Sequence, residues 1–499
     1  MKNYKIFSLF ALFFVVTQSC DNSDLELVNP NALIPETYFA NEEQIKSAVN
    51  ASYAQNQVNA LYGRLLFYMY DNMGQDNSPN PQQEANKVTY NNFTFDSSNN
   101  EIAEYWNSCF RGINKANFVI SNIDRINAIQ ESELAQDIKN KYIAEARFLR
   151  GHYYFLLVTR FGGVPLYESL RDESESTIGL PRSTEDQVYD LIIDDFRFAA
   201  DNLFSRDQEV TGRATKGAAL AYLGKALLYQ EQYAEAYDAF DDITGYDLEE
   251  SYFDNFKEET EHGIESLFEI EFDRALGTST KWDSNVNGEG FNESTFRGQD
   301  YGVLDWFNVY PSQDLLDEYE EGDIRSAENF YFVGDTYADG NGGGVIEESD
   351  LSTTAGIRPA GWRKYQNYYR RTAEEQESSI NFKVIRYADV LLMKAEAANE
   401  TSRTPEAIDL INRVRDRAGL DDIQDNLSQT QVFDAIVHER KVELAGEQVR
   451  FNDIVRWGIS NTELAGTGFQ QGKHELWPIP DREISSNESI TQADQNSGY

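Results

Sequence analysis

The apolar residues within residues 382–420 recur every three or four positions, which is the spacing of one helix face. We predict two helices joined by a short link. The apolar stripe of the first consists of Val384, Tyr387, Leu391, Ala395 and Ala398. That of the second consists of Ala407, Ile411, Val414 and Ala418. Thr404 is the predicted N-cap of the second helix, because its hydroxyl can accept from the free amides of the next turn. A single hairpin cannot bury both its faces, so it predicts neighbours of the same kind.

A second stretch, residues 214–243, also has the pattern of a helix hairpin. Gly224, Ala236 and Phe240 stand at the small, small and aromatic positions of a tetratricopeptide repeat. The small residues let two helices approach, and the aromatic ring fills the gap between repeats. The pattern predicts a mostly α fold with a tetratricopeptide-like helical repeat scaffold, interrupted by inserted material.

Further helices are predicted at 41–59, 101–126 and 139–160, and one more that begins at Thr184. Between the first two, residues 71–86 replace the apolar period with Asn, Asp, Gln and Pro. We interpret this segment as an exposed loop.

The stretch from about residue 246 to 380 has neither helical nor strand periodicity over most of its length and is rich in Gly, Asn and Asp. The segment LFEIEF within it is typical of a short strand. Aromatic residues that follow no period are harder to explain as core, so this insert is the candidate ligand platform. Its aromatic residues include Trp282, Phe291, Phe296, Tyr301, Trp306, Trp362, Tyr365, Tyr368 and Tyr369.

Residues 1–19 place Lys2 and Lys5 before an apolar run that is too short to cross a bilayer, which is typical of a secretory signal. The segment ends in TQSC and resembles a lipobox, although Thr17 replaces the usual Leu. Cys20 is therefore the predicted lipidation site. A plain signal peptide with a free cysteine is the alternative. Cys109 is the only other cysteine, and its apolar neighbours predict that it is buried and inert.

The formal net charge of −42 gives a surface that repels nucleic acid and anionic lipid, so neither is an expected partner. It also favours a neutral glycan, such as a marine β-glucan, over a polymer of uronic acids. The aromatic fraction of 13% exceeds what a core requires, which favours an exposed binding surface.

Several longer motifs resemble the SusD/RagB family of outer-membrane glycan-binding lipoproteins. They are LRGHYYFLLVTRFGGVPLY at 149–167, IRYADVLLMKAEAAN, INRVRDRAGL, HERKVELAGEQVRFNDIVRWG and LWPIP. The resemblance spans nearly the whole mature chain. It implies a SusD-like α-α superhelix of four tetratricopeptide-like units, with a more irregular part that bears the ligand site.

The resemblance also implies a role. Such proteins are not enzymes; they are lipid-anchored at the cell surface, bind an oligosaccharide or other nutrient, and cap a SusC-like TonB-dependent transporter. The acidic residues after Cys20 resemble the export signal on surface lipoproteins of Bacteroidetes. The expected regions are a lipoprotein signal peptide (1–19), a lipidated N-terminus with an acidic tether (20–40), an N-terminal helical region (41–245), the loop-rich insert (246–380), and a C-terminal helical region with an extended tail (381–499).

The strongest lead for an enzyme is His438 with Glu439 and Glu443 on one helix face. A zinc peptidase would need a second His where Val442 stands. We instead predict a buried ion network between helices, formed by Glu439, Arg440, Glu443, Arg450, Asp453 and Arg456.

Other chemistry finds little support in the sequence. Four His residues make a histidine metal site or proton relay improbable, and no cofactor motif is present. Asp335, Asp339 and Asn341 offer oxygen ligands without the full calcium-loop pattern, so a turn is the prediction there. No catalytic residue or metal site is predicted.

Sugar binding requires a flat apolar face for stacking on pyranose C–H groups, flanked by polar side chains for the hydroxyls. The candidate carbohydrate-binding residues are Trp282, Phe291, Trp306, Asp71, Asn72, Asn77 and Arg297. Leu304 and Phe307 adjoin Trp306, which favours a core position for that ring. The function predicted is capture of an oligosaccharide and its delivery to the transporter. A peptide-binding or other nutrient-binding scaffold and a secreted glycoside hydrolase are the alternatives.

Overall fold

Helices that follow one another in sequence pack together and form most of the protein. The computed structural model describes residues 38–80, 85–170, 179–277, 293–351, 358–374 and 376–499. Its α-helices are α1 Glu42–Ala54, α2 Leu65–Met73, α3 Val88–Asn91, α4 Asn100–Ile120, α5 Ile123–Ala128, α6 Gln136–Phe161, α7 Glu185–Asn202, α8 Lys216–Tyr229, α9 Tyr233–Asp241, α10 Arg297–Tyr301, α11 Gln313–Glu318, α12 Ile324–Asn329, α13 Tyr387–Glu400, α14 Thr404–Arg417, α15 Gln429–Glu443, α16 Arg450–Arg456, α17 Ser460–Glu463 and α18 Asp481–Ser486.

The strands are short and pair only two at a time in the described part of the chain. They are β1 Asn77–Pro79, β2 Ser266–Ile270, β3 Val309–Pro311, β4 Phe330–Tyr331, β5 Thr336–Tyr337, β6 Gly344–Val345, β7 Gly361–Trp362 and β8 Phe382–Arg386. All four pairs are antiparallel: β1 with β3, β2 with β8, β4 with β7, and β5 with β6. No described helix has the length and hydropathy of a membrane span.

The predicted repeat hairpin is formed by α8 and α9. A Cβ atom on Gly224 would lie 2.4 Å from the Phe240 ring, so only glycine lets the two helices approach this closely. Ala236 is fully buried beside them. The hairpin of α13 and α14 packs against α9, which joins the two predicted units into one scaffold. The prediction of a mostly helical fold with a helical repeat scaffold is confirmed.

Local signals placed several helix boundaries correctly. Thr184 caps α7 through a capping box with Gln187, as its position ahead of two acidic residues predicts. The predicted turn around Asp339 is the link between β5 and β6. The segment LFEIEF, residues 267–272, overlaps strand β2, as predicted.

Three predictions about elements were wrong. Phe382–Arg386 is strand β8, because its β-branched residues pair with β2, a distant partner that helical spacing does not reveal. Arg403, not Thr404, is the N-cap of α14. The helix expected over 101–126 is interrupted between α4 and α5.

The expectation of an exposed loop at residues 71–86 was also wrong over its first half. Asp71 and Asn72 belong to α2, and Asp76 and Asn77 follow it. All four side chains are at most 2% exposed. Polar composition suggested a loop, but each of these groups finds hydrogen-bond partners inside the fold, which offsets the cost of burying it.

The predicted ion network exists except for Arg450, which binds Glu463 instead, and it extends into the insert. Arg440 bonds Asp453 at 2.8 Å, and Arg456 bonds the same carboxylate at 2.9 Å. Glu439 and Glu443 both bind Arg325 of α12. A charge is buried at an acceptable cost only where a group of opposite charge contacts it directly. These contacts therefore fix α15 against the insert.

Arg386 is the centre of a second part of this network. Its guanidinium reaches Glu265 at 2.6 Å and Glu447 at 2.8 Å, and it also binds Glu443. Burial would raise the pKa of Glu443, but Arg417, Arg386 and Arg325 together hold it well below its usual range. Buried charges therefore add to the apolar contacts that join the insert to the C-terminal helices.

The tail after α17 packs back onto the N-terminal half. Trp477 is fully buried; its ring lies against Tyr105 and Phe161, and its backbone N–H donates to the Arg160 carbonyl at 2.6 Å. Asn496 donates to the Phe161 carbonyl at 3.0 Å. The tail thus completes the core around the end of α6.

Candidate functional site

The predicted site residues fall into three groups. Trp282 and Phe291, like the predicted lipidation site Cys20, lie outside the described residues. Asp71, Asn72, Asn77 and Arg297 are buried. Trp306 alone among the described candidates lies part-way at the surface.

The buried candidates are brought together, except for Asn72. Tyr301 donates its hydroxyl hydrogen to Asp71 at 2.8 Å and accepts from Asn77 at 2.8 Å. The Arg297 guanidinium lies 3.5 Å from the same Asp71 oxygen. The indole N–H of Trp362 donates to Asn77 at 2.7 Å. These side chains hold the insert against α2; whether they also influence a ligand stays a prediction.

The charge state of this cluster follows from its burial. Burial raises the pKa of Asp71, and Arg297 and the Tyr301 hydroxyl partly oppose that rise. Burial together with the neighbouring Asp71 raises the pKa of Asp76 to about 7. Asn72 lies apart and donates to the Lys87 carbonyl at 3.1 Å.

Trp306 rests on a charged support. The Arg64 guanidinium lies 5.6 Å from its ring centroid, a distance typical of a cation–π contact. Arg64 binds Asp300 through two parallel bonds, each 2.8 Å long. Asn308 donates to the same Asp300 carboxylate at 2.8 Å. We call these four residues, Arg64, Asp300, Trp306 and Asn308, the Trp306 platform.

The backbone on both sides of the platform is unusual. Arg64 follows a π-helical turn, Asn59–Gly63, in which a Cβ on Gly63 would meet the Gln57 carbonyl oxygen at 2.6 Å. Phe307 has a φ of 47°, in the left-handed region that bulky residues rarely adopt. Such strained residues cluster at functional sites, where the surrounding structure holds them in place.

The pairing of β1 with β3 brings a second loop to the platform. The Asn80 N–H donates to the Asn308 carbonyl at 2.7 Å, one residue beyond the strand pair. Residues 77–80 and 306–311 therefore lie side by side. The platform offers a partly exposed aromatic face, and the groups that support it, Arg64, Asp300 and Asn308, are themselves buried. Such a face can stack on the apolar side of a hydroxylated ring.

The platform residues that the sequence did not suggest are Arg64, Asp300 and Asn308. No motif marks them, because they lie up to 244 positions apart and meet only through tertiary packing. One feature of the sequence could have indicated the position of Arg64. Gly63, in the segment LYGR, precedes an apolar run, and a glycine there indicates a sharp change in the backbone.

Most of the insert aromatics that the structure describes are core residues, contrary to their interpretation as a ligand platform. Phe296, Tyr301, Trp362, Tyr365 and Tyr368 are all at most 2% exposed. Tyr301 packs on Trp362, and Arg297 lies against the rings of Tyr301 and Tyr365. These aromatic residues show no helical or strand spacing because the backbone around this core is irregular. Trp306 departs from its expected core position because Arg64 supports its ring near the surface.

One group of described side chains has metal-ligand spacing: His262, Glu269 and Glu271. Glu269 is already bound by Lys383 at 2.8 Å and by the Asn381 amide at 3.0 Å. These bonds satisfy its carboxylate without a metal ion. Cys109 is buried, as predicted, and burial raises the pKa of its thiol.

Comparison with known proteins gives matches over most of the sequence. The family model described as "SusD family" matches residues 264–474. The model described as "Starch-binding associating with outer membrane" matches residues 25–228. SusD-like protein P2 of Formosa agariphila is 29% identical, with 100% of each chain covered.

Solved structures show the same fold. A SusD superfamily protein from Bacteroides vulgatus is 25% identical, with a TM-score of 0.77, over 93% of this chain and 100% of that one. A laminarin-binding SusD-like protein is 26% identical, with a TM-score of 0.74, over 92% of this chain and 100% of that one. The two adjacent family matches, the full-length relative and the shared helical architecture show that this chain belongs to the SusD/RagB family.

Proposed function

We propose that this chain is a non-catalytic surface lipoprotein that binds a neutral oligosaccharide or polysaccharide at the Trp306 platform and delivers it to a SusC-like TonB-dependent transporter. The observation that carries the proposal is the partly exposed Trp306 ring, supported by the bidentate Arg64–Asp300 pair. A pre-organised aromatic face costs little entropy on binding.

A neutral ligand fits the charges around the platform. Asp300 is fully buried and bound by Arg64 and Asn308, so its charge is compensated inside the site. The protein as a whole carries a net charge of −42, which repels polyanions. The laminarin-binding relative, which binds an uncharged glucan by its description, makes β-glucan the first candidate.

The absence of catalysis is part of the proposal. The acidic residues nearest to a catalytic pattern, Glu439 and Glu443, are buried and bound by arginines. A glycosidase requires two carboxyl groups that face one sugar across a short gap. Ion-paired carboxylates inside a helix bundle do not meet that requirement.

Affinity gel electrophoresis on laminarin, soluble starch and alginate tests the binding site. We expect laminarin or starch to retard the protein and alginate to leave its mobility unchanged. Trp306→Ala should weaken retention by at least about tenfold, since a central aromatic anchor carries most of such binding energy. Retention on no glycan, or reducing sugar released from the gel, would contradict the proposal.

Trp457→Ala is the matched control. Trp457 is also a partly exposed tryptophan beside an arginine, with the Arg456 guanidinium 4.6 Å from its ring centroid. It lies after α16 on the helical scaffold. It should keep the wild-type retention. If both variants lose binding equally, the effect belongs to general destabilisation and not to the platform.

The anchor and the transporter need separate experiments. Labelling of cells with a radioactive fatty acid should mark the wild-type protein and not the Cys20→Ser variant. Purification of the labelled protein in mild detergent should bring down a TonB-dependent transporter. Labelling of both forms, or purification without such a transporter, would leave only the glycan-binding part of the proposal standing.

A further inference from the structure

A groove on the surface of α4 shares no residue with the Trp306 platform. It has a volume of about 220 Å³ and lies between α4, the segment 167–169 and Glu483 of α18. We call it the Phe110 groove; its principal residues are Trp106, Asn107, Phe110, Asn114, Tyr167 and Glu483.

Three aromatic rings line the groove, and their planes are steeply inclined to one another. The Phe110 ring lies 4.9 Å from that of Trp106 and 5.8 Å from that of Tyr167, the latter at 87°. Phe110 and Tyr167 are both partly exposed, while Trp106 is buried behind them. The two exposed rings thus form adjacent walls that a small flat ligand can contact together.

Two amides flank the central ring on one helix face. Asn107, Phe110 and Asn114 follow the spacing i, i+3, i+7, so the amides lie about 10 Å apart along α4 with the ring between them. Neither the Asn107 nor the Asn114 side-chain amide has a hydrogen bond to another described residue. Both can therefore donate to and accept from a ligand that rests on Phe110.

The wall opposite α4 is fixed in place. Asn117 donates to the Tyr167 carbonyl at 2.7 Å, and the Tyr167 N–H donates to the Tyr154 hydroxyl at 2.7 Å. The Ser121 hydroxyl accepts from the Leu170 N–H at 2.8 Å. The groove is thus formed before a ligand arrives, which lowers the entropy cost of binding.

The lining selects among ligand classes. Glu483 is the only charged side chain among the described lining residues, which gives an anionic ligand no cation to pair with. Two free amides at the groove edge do not suit a purely apolar ligand, because its binding would bury them without partners. A ring with apolar faces and a rim of hydroxyls satisfies both parts.

We infer that the Phe110 groove is a second glycan-binding site, which takes a single neutral pyranose unit of a longer chain between Phe110 and Tyr167. The volume lies below the roughly 300–1,000 Å³ of sites for drug-sized ligands, which suits one sugar residue. The inference rests on the proposed glycan binding, but not on the Trp306 platform. Two weak sites on one polysaccharide raise avidity without any new contact.

The test uses the full mature protein in two backgrounds, wild type and Trp306→Ala, with laminarin and soluble starch in affinity gels and laminarihexaose in calorimetry. We expect Trp306→Ala to retain weak binding to one of these glucans. Phe110→Ala should reduce that remaining affinity by about three- to tenfold, the range expected for loss of one ring contact.

Asn114→Ala is the second variant, because Asn114 is exposed and its loss does not threaten folding. Phe433→Ala is the matched control for Phe110→Ala, since Phe433 is also a partly exposed phenylalanine on a long helix. Asn114→Ala should weaken binding in the same direction, and Phe433→Ala should leave it unchanged.

The outcomes separate the two proposals. If Trp306→Ala removes binding and the groove variants change nothing in either background, the second site is wrong and the platform stands. If the groove variants weaken binding and Trp306→Ala does not, the groove stands and the platform is wrong. If no glucan retards the wild-type protein, both are wrong.

Discussion

The contacts within the helical scaffold differ in kind from the charged contacts that help to join the insert to it. Within the scaffold, α8 and α9 pack through apolar complementarity, with Gly224 fitted against Phe240. Between the scaffold and the insert, Arg386 binds Glu265, Glu443 and Glu447 in a buried network. Hydrophobic periodicity in the sequence therefore identifies the apolar contacts between helices but does not reveal the buried charge pairs.

The largest expected effect follows from breaking the buried network. Arg386→Ala removes the one cation of the described chain that contacts Glu265, Glu443 and Glu447 together. Loss of one partner from a buried charge pair costs about 3–5 kcal/mol of unfolding free energy. Urea denaturation followed by fluorescence and circular dichroism measures it. We expect the insert to loosen before the helical scaffold does.

Arg197→Ala is the control for that experiment. The Arg197–Glu235 pair is about half exposed on both sides and should be worth about 0–1 kcal/mol. If Arg386→Ala costs no more than this surface pair, the network does not hold the insert. The comparison between the two regions would then fail.

A smaller effect is expected inside the scaffold. Gly224→Ala places a methyl group 2.4 Å from the Phe240 ring, so it should cost about 1–3 kcal/mol through overpacking. Phe240→Leu removes the ring that causes the clash. The cost of Gly224→Ala measured in that background should shrink, and equal costs in both backgrounds would show that the close approach is not the cause.

For a change of one pH unit, the smallest expected effect is a pH dependence that differs between the two regions. In the insert, burial raises the pKa of Glu374 to about 8, and Asp305 adds to the rise. The folded protein therefore retains a proton that the unfolded chain releases near pH 4.5. Between about pH 4.5 and pH 8 the unfolding free energy should fall as the pH rises, by up to about 1.4 kcal/mol per pH unit.

The scaffold should respond in the opposite direction. Burial would raise the pKa of Asp389, but Lys225 and Arg440 lower it to about 2. Its stabilisation is complete above about pH 4 and is lost as the pH falls toward 2. Glu374→Gln should reduce the slope between pH 5 and pH 8, to which Asp76 also contributes, and should leave the acid limb unchanged. An unaltered slope would show that Glu374 does not contribute to it.

The sequence predicted the scaffold well because its signals are local. The capping box at Thr184, the small positions at Gly224 and Ala236, and the charges of α15 all act within a few residues or recur at helical spacing. Each therefore leaves a pattern that can be seen along the chain. These predictions were confirmed.

The candidate site was predicted much less well, because its contacts are between distant residues. Asn77 meets Trp362 across 285 positions, and Arg64 meets Asp300 across 236. Asp71 was interpreted as a loop residue, because the sequence around it does not indicate that Tyr301 is its buried partner. Strand β8 was mistaken for helix for the same reason, because its partner β2 lies more than 100 residues earlier.

The contact of Trp477 and Asn496 with Phe161 has a consequence for how the protein reaches its native state. A chain made from the N-terminus exposes the end of α6 until residues 477–496 have been synthesised, over 300 residues later. The first half can form helices during that time, yet it cannot close its own core. Contacts of such long range slow folding, so the final step should be a late, cooperative docking of the tail.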